Sequence, residues 1–143
     1  MVTVSLIDHT ADIGVDVLAP DPAAAFVAAA QGMFDIVVGR EAALSAAGGT
    51  GLSRSIELRA DGWEDLLVAW LEELLFIYET ERVVPAAIDM AEISASHLAA
   101  TMQGHILDPC GPQTGLQIKA VTYHQLRAGP SKRGFEIRVI FDV

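Results

Sequence analysis

The chain predicts an α+β domain, two helices packed on antiparallel β-sheet. Three observations carry that expectation. Two stretches repeat apolar residues at helical spacing, and most other apolar stretches alternate with the two-residue period of half-buried strands. The later strand-like stretches also follow one another with no helix between them, which argues against a doubly wound parallel sheet. With 143 residues, the chain reads as one domain over 1–143, long enough to bury a real core.

The first two strands are expected at 2–7 and 13–19, flanking Asp8-His9-Thr10-Ala11-Asp12-Ile13-Gly14. This polar cluster sits at a turn or bulge, where the backbone can aim side chains at one point. Gly14 within the strand pattern suggests a bulge or a close backbone approach. Two carboxylates and an imidazole so close together suit a hard cation or an acid–base pair. The same residue types at a strand end also form Asx and ST turns, which bind only local backbone.

Asp21-Pro22 is a helix start, with the aspartate as N-cap and proline in the first turn. Phe26, Ala30, Met33, Phe34 and Val37 then form one apolar stripe, with Gly39 as the stop. Residues 40–52 read as a linker rich in Ala, Gly and Ser; its glycines lack the lysine and spacing of a phosphate loop. Ile56, Leu58 and Ala60 mark an amphipathic strand over 53–60. Asp61 as cap with Glu64 three residues on predicts a capping-box start to the second helix. There Leu66, Leu67, Trp70, Leu71, Leu74, Leu75 and Tyr78 cover a broad face, leaving Asp65, Glu72 and Glu79 as a narrow wet stripe. A helix apolar over so much of its girth must be buried against more than one layer, with Trp70 in the core.

Beyond Arg82 the pattern turns to strands, at 88–93 and 98–106 with a joint at Ser94–Ser96. His97 and His105 read as surface histidines. Residues 107–112 form a loop, and Ile118–His124 leads into a final hairpin turning at Gly129–Gly134. The last strand alternates cleanly: Phe135, Ile137, Val139, Phe141 and Val143 on one face, Glu136, Arg138, Ile140 and Asp142 on the other. Asp142 beside the main-chain oxygens of Val143, if paired with Asp12, offers a site for Ca²⁺, Mg²⁺ or Mn²⁺. Alternatively Asp142 pairs with Arg138 on its own strand face.

Composition narrows the function classes. The formal net charge is −10, from 19 acidic and 9 basic residues. Nucleic acid is held chiefly by neutralising phosphates, so direct nucleic-acid binding is not expected. The balance suits a basic protein surface or cations. Cys110 is the single cysteine, which leaves no internal disulfide and no cysteine-based zinc site. The most apolar run, Leu66–Tyr78, is short for a bilayer and carries Glu72 and Glu73, and no signal peptide is apparent, so a cytoplasmic location without membrane contact is expected.

Four blocks taken together resemble the archease family. They are Asp8–Gly14, Leu66–Leu75 on the second helix, Ile118–His124, and Val139–Val143, in the family's order and spacing across essentially the whole chain. The departures are the 40–52 linker, Ala69 where a polar residue is common, and Gly-Pro turns; none touches the carboxylates. The resemblance implies an archease-like fold and an accessory protein, not a free-standing enzyme: an activator of the tRNA-splicing RNA ligase, promoting guanylylation of the ligase histidine and repeated turnover. It implies a divalent cation, Ca²⁺ first, on Asp12, Asp142 and the main chain or terminal carboxylate of Val143. His9, Lys119 and His124 match motif positions and are expected to support the site or meet the partner. Two alternatives stand beside this reading: a chaperone-like modulator of tRNA-modifying enzymes such as methyltransferases, and a metal-dependent hydrolase centred on His9, Asp12 and Asp142. The hydrolase lacks an activated nucleophile in the sequence.

Overall fold

The computed structural model describes residues 2–8, 12–39, 52–107 and 115–143. The elements run β1 (Thr3–Asp8), β2 (Asp12–Ala19), α1 (Pro22–Val38), β3 (Leu52–Arg59), α2 (Trp63–Glu81), β4 (Val83–Ile93), β5 (His97–Ile106), β6 (Ala120–Ser131) and β7 (Gly134–Asp142). The strands make two antiparallel sheets, one ordered β1-β2-β7-β6 and the other β3-β5-β4. This bears out two helices on antiparallel sheet and adds that the sheet is divided in two. Helix α1 packs on β1, β2 and β7 of the first sheet and on β4 of the second; α2 packs on β6 of the first and all three strands of the second. Among the described residues no helix is long and apolar enough to cross a membrane.

The sequence explains why both helices can touch two sheets. In α1, Ala25, Ala28, Ala29, Ala30 and Gly32 are buried together with Phe26, Met33 and Phe34, so small residues let sheet and helix approach on several sides. Asp21 caps this helix as expected, its carboxylate accepting from Ala24 N–H at 2.8 Å. Gly39 ends it with φ 83°, a conformation that favours glycine. In α2, Trp70 is fully buried and its indole N–H donates to the Phe26 carbonyl at 3.0 Å. Phe26, Trp63 and Phe135 meet edge-to-face, with ring centroids 4.9 to 6.2 Å apart, and tie both helices to β7. Asp65, Glu72 and Glu79 form the expected wet stripe.

Three expectations need correction, and one alternative is decided. Asp61 does not cap α2: the N-cap is Gly62, with φ 120° and no side-chain bond, because the turn from β3 places the one residue that tolerates that φ at the cap. Strand β4 begins at Val83, well before residue 88. Arg82 reverses the chain at once, in a left-handed conformation (φ 60°) with its N–H on the Tyr78 carbonyl and its guanidinium over the Tyr78 ring. The final hairpin is tighter than a turn over 129–134, since β6 continues to Ser131, which pairs with Gly134, leaving only Lys132 and Arg133 at the tip. Gly14 makes a close approach and no bulge: the register is continuous on both sides of β2, and a Cβ there would lie 2.7 Å from the Val139 carbonyl oxygen. Of the linker expected over 40–52, residues 40–51 fall outside the described residues and Leu52 opens β3; residues 108–112 of the expected loop, Cys110 among them, also fall outside.

Candidate functional site

The first sheet fixes the site. Its core face carries Val15, Val17 and Ala19 from β2 and Phe135, Ile137, Val139 and Phe141 from β7, all buried. The period of two then turns Asp12, Gly14 and Asp16 of β2, and Arg138, Ile140 and Asp142 of β7, to the opposite face. The β2–β7 register places Asp12 directly opposite Asp142. Directly opposed residues in an antiparallel pair have Cβ atoms about 4.5–5.5 Å apart, and like charges there repel. Asp12 is half-buried and Asp142 exposed. Among the described residues no side chain hydrogen-bonds or ion-pairs with either carboxylate. Two carboxylates are thus held together with no cation of the described residues between them.

The neighbourhood is acidic oxygen and main chain. Val143 follows Asp142 and is half-buried against the core. Lys119 lies alongside, its backbone N–H donating to the Asp142 carbonyl at 2.7 Å, while its side chain is exposed. Ala120 pairs with Asp142 from the β6 side. His124 is not brought to the pair. It sits in a bulge of β6 between Thr122 and Arg127, exposed, its N–H 3.3 Å from the Thr122 hydroxyl. The same bulge holds Tyr123, whose hydroxyl donates to Asp65 of α2 at 2.9 Å; that bond, with burial and the charges of Asp65 and Glu72, raises the phenol above its ordinary value. His9 lies outside the described residues, as do the side chains of Ile7 and Asp8.

The alternative partner for Asp142 is otherwise engaged. Arg138 donates from Nε and Nη2 to the two oxygens of Asp16, both at 2.9 Å, and the Asp16 bond and charge raise the guanidinium's proton affinity further. This clamp was missed in the sequence, although one signal pointed to it. Once Asp12 stands opposite Asp142, moving four residues along each strand puts Asp16 opposite Arg138.

An all-oxygen donor set suits a hard divalent cation better than a soft one. The opposed carboxylates are what such an ion would relieve, and the Val143 main chain adds oxygen. Among the described residues no group of three His, Cys, Asp or Glu side chains is placed to hold a metal, so further ligands would have to be main-chain oxygen or water.

Fold and site together define a class: an α+β protein whose N-terminal and C-terminal strands meet in one sheet and present a carboxylate pair there. Comparison with known proteins gives the family. Residues 5–143 match the model of the Archease protein family (MTH1598/TM1083). Protein archease of Methanosarcina barkeri is 30% identical over 141 residues, covering 96% of this chain and 93% of that protein. Protein archease of Thermococcus kodakarensis is 32% identical over 124 residues, covering 84% and 83%. The solution structure of protein 1598 from Methanobacterium thermoautotrophicum superposes with a TM-score of 0.76 at 28% identity, covering 98% of each chain. The chain belongs to the archease family.

Proposed function

We propose that this protein is a metal-binding accessory factor that activates the tRNA-splicing RNA ligase by promoting guanylylation of the ligase histidine. Family membership supports the coarser part of the reading, an accessory role in tRNA processing. The observation that carries the finer part is the Asp12–Asp142 pair, opposed across one sheet with no cationic side chain of the described residues paired to it. Asp12, Asp142 and the Val143 main chain would hold the ion, and a hard cation there supplies positive charge for phosphate oxygens. Around it, Asp142 and Asp12 orient the site from two neighbouring strands, and the Lys119 main chain holds the Asp142 carbonyl. The net charge of −10 favours docking on a basic surface, as an enzyme handling RNA and GTP must present.

The test is a guanylylation assay with the organism's RNA ligase, labelled GTP and divalent metal, with this protein substoichiometric. Stimulation by the wild type and its loss in Asp142→Ala, with binding to the ligase retained, is the expected result. Full stimulation by folded Asp12→Ala and Asp142→Ala proteins would remove the carboxylate pair from the mechanism. Suppressed aggregation of a tRNA methyltransferase without any metal requirement would favour the chaperone-like role.

A further inference from the structure

The open face of the first sheet carries a second charged group, of opposite sign, at its other end. The register aligns Ser5 of β1 with Asp16 of β2, Asp16 with Arg138 of β7, and Arg138 with Arg127 of β6, one transverse row across all four strands. Arg133, from the β6–β7 turn, and Thr3, two residues before Ser5, join this row in lining a cavity of about 370 Å³. Binding sites for small ligands begin at about 300 Å³. Arg138 and Asp142 are four residues apart on β7, so the cavity lies roughly 13 Å along the strand from the carboxylate pair.

The charge balance of this cavity departs from that of the whole chain. Three guanidiniums face two carboxylates, Asp16 and Glu136, in a protein of net charge −10. Asp16 is consumed by Arg138, but it takes only two of the five donors of that guanidinium and fixes its plane. Glu136 reaches Arg133 only at 3.9 Å, with Arg133 70% exposed. Arg127 has no ion-pair partner among the described residues and stands directly opposite Arg138. Opposed like charges on neighbouring strands are unfavourable, and a bridging ion of the other sign removes the cost. Planar guanidiniums with spare N–H pairs match phosphate oxygens, and two hydroxyls on the far side can donate to the same group.

We propose that this cavity is a binding site for a small phosphate-bearing ligand of up to nucleotide size, held by Arg127, Arg133 and the spare guanidinium edge of Arg138, with the Thr3 and Ser5 hydroxyls opposite. It is separate from the carboxylate pair and does not depend on the ligase reading.

The test is isothermal titration calorimetry on the whole protein at low ionic strength, in EDTA so that no cation at Asp12 and Asp142 contributes. Pyrophosphate and adenosine monophosphate are the two probes. Saturable binding is expected, weakened at least tenfold in Arg127→Gln and several-fold in Arg133→Gln, both exposed positions, and changed less than twofold in Lys132→Gln at the hairpin tip. Comparable affinity for both probes assigns the site to phosphate alone; preference for the nucleotide assigns it to a nucleoside phosphate. Absence of binding by either probe, or equal weakening by Lys132→Gln and Arg127→Gln, would overturn the proposal in favour of diffuse surface charge.

Discussion

Replacing Asp142 by Asn separates two consequences of the carboxylate pair by their sign. Two unit charges about 5 Å apart repel by about 0.8 kcal/mol in water-like dielectric, and salt screening lowers this further. Asp142 is exposed, so the water-like figure is the appropriate one. Without metal, Asp142→Asn is therefore expected to stabilise the fold by about 0.2–0.8 kcal/mol, or roughly 1–3 °C in Tm for a domain of this size. With Ca²⁺ at about a hundred times its Kd, the wild type gains about 2.7 kcal/mol while the variant gains little. The order of the two melting temperatures should reverse between EDTA and Ca²⁺. Thermal denaturation followed by circular dichroism in both conditions reads this directly. A variant less stable by the same amount in both conditions would show that Asp142 acts through local hydrogen bonding, and the cation argument would fail. A wild type insensitive to Ca²⁺, Mg²⁺ and Mn²⁺ would have the same force.

Three further outcomes follow from single contacts. Gly14→Ala puts a Cβ 2.7 Å from the Val139 carbonyl, so β2 and β7 must part; we expect a loss of about 1–3 kcal/mol in urea denaturation. Trp70→Phe removes the buried indole N–H bond to Phe26 and leaves a void between the helices, for a loss of about 1–3 kcal/mol by the same measurement. On the open face of the second sheet, the Glu57 carboxyl is held below its usual range by the His97 hydrogen bond, the His97 charge and Arg59. A depressed folded-state pKa gives stability that is complete above the unfolded value and lost as pH falls through the folded one, so Glu57→Gln should lower Tm at neutral pH and leave the low-pH limit in place, flattening the acid limb of a Tm-against-pH profile.

What was legible in the sequence is what local chemistry decides. Asp21 before Pro22, the alanine-rich stripe of α1 and the alternation from Phe135 to Phe141 each specify their element without help from elsewhere. Asp61 and Glu64 carried an equally plausible local signal and were overridden, because the chain leaving β3 requires φ 120° just before Trp63 and only Gly62 supplies it cheaply. The division into two sheets was not legible, since alternation tells which face a residue takes but not which strand stands beside it. The same limit explains Arg138. Read along its own strand it is a candidate partner for Asp142, whereas its partner Asp16 lies across the sheet, on a strand far away in the sequence.

That cross-strand order also explains how an exposed carboxylate pair can be held with definite geometry. Among the described residues Asp12 and Asp142 have no side-chain partners to position them, and their placement there follows the backbone register of β2 against β7. That register is fixed from the other face: a slip of one residue would turn Phe135, Ile137, Val139 and Phe141 out to solvent and Arg138 and Asp142 into the core. The Asp16–Arg138 clamp pins the same register on the open face, four residues from the pair. Burial on one side and an ion pair on the other thus leave the two carboxylates opposed despite their repulsion. The repulsion is local and small, the buried strand face is extended and apolar, and the second decides.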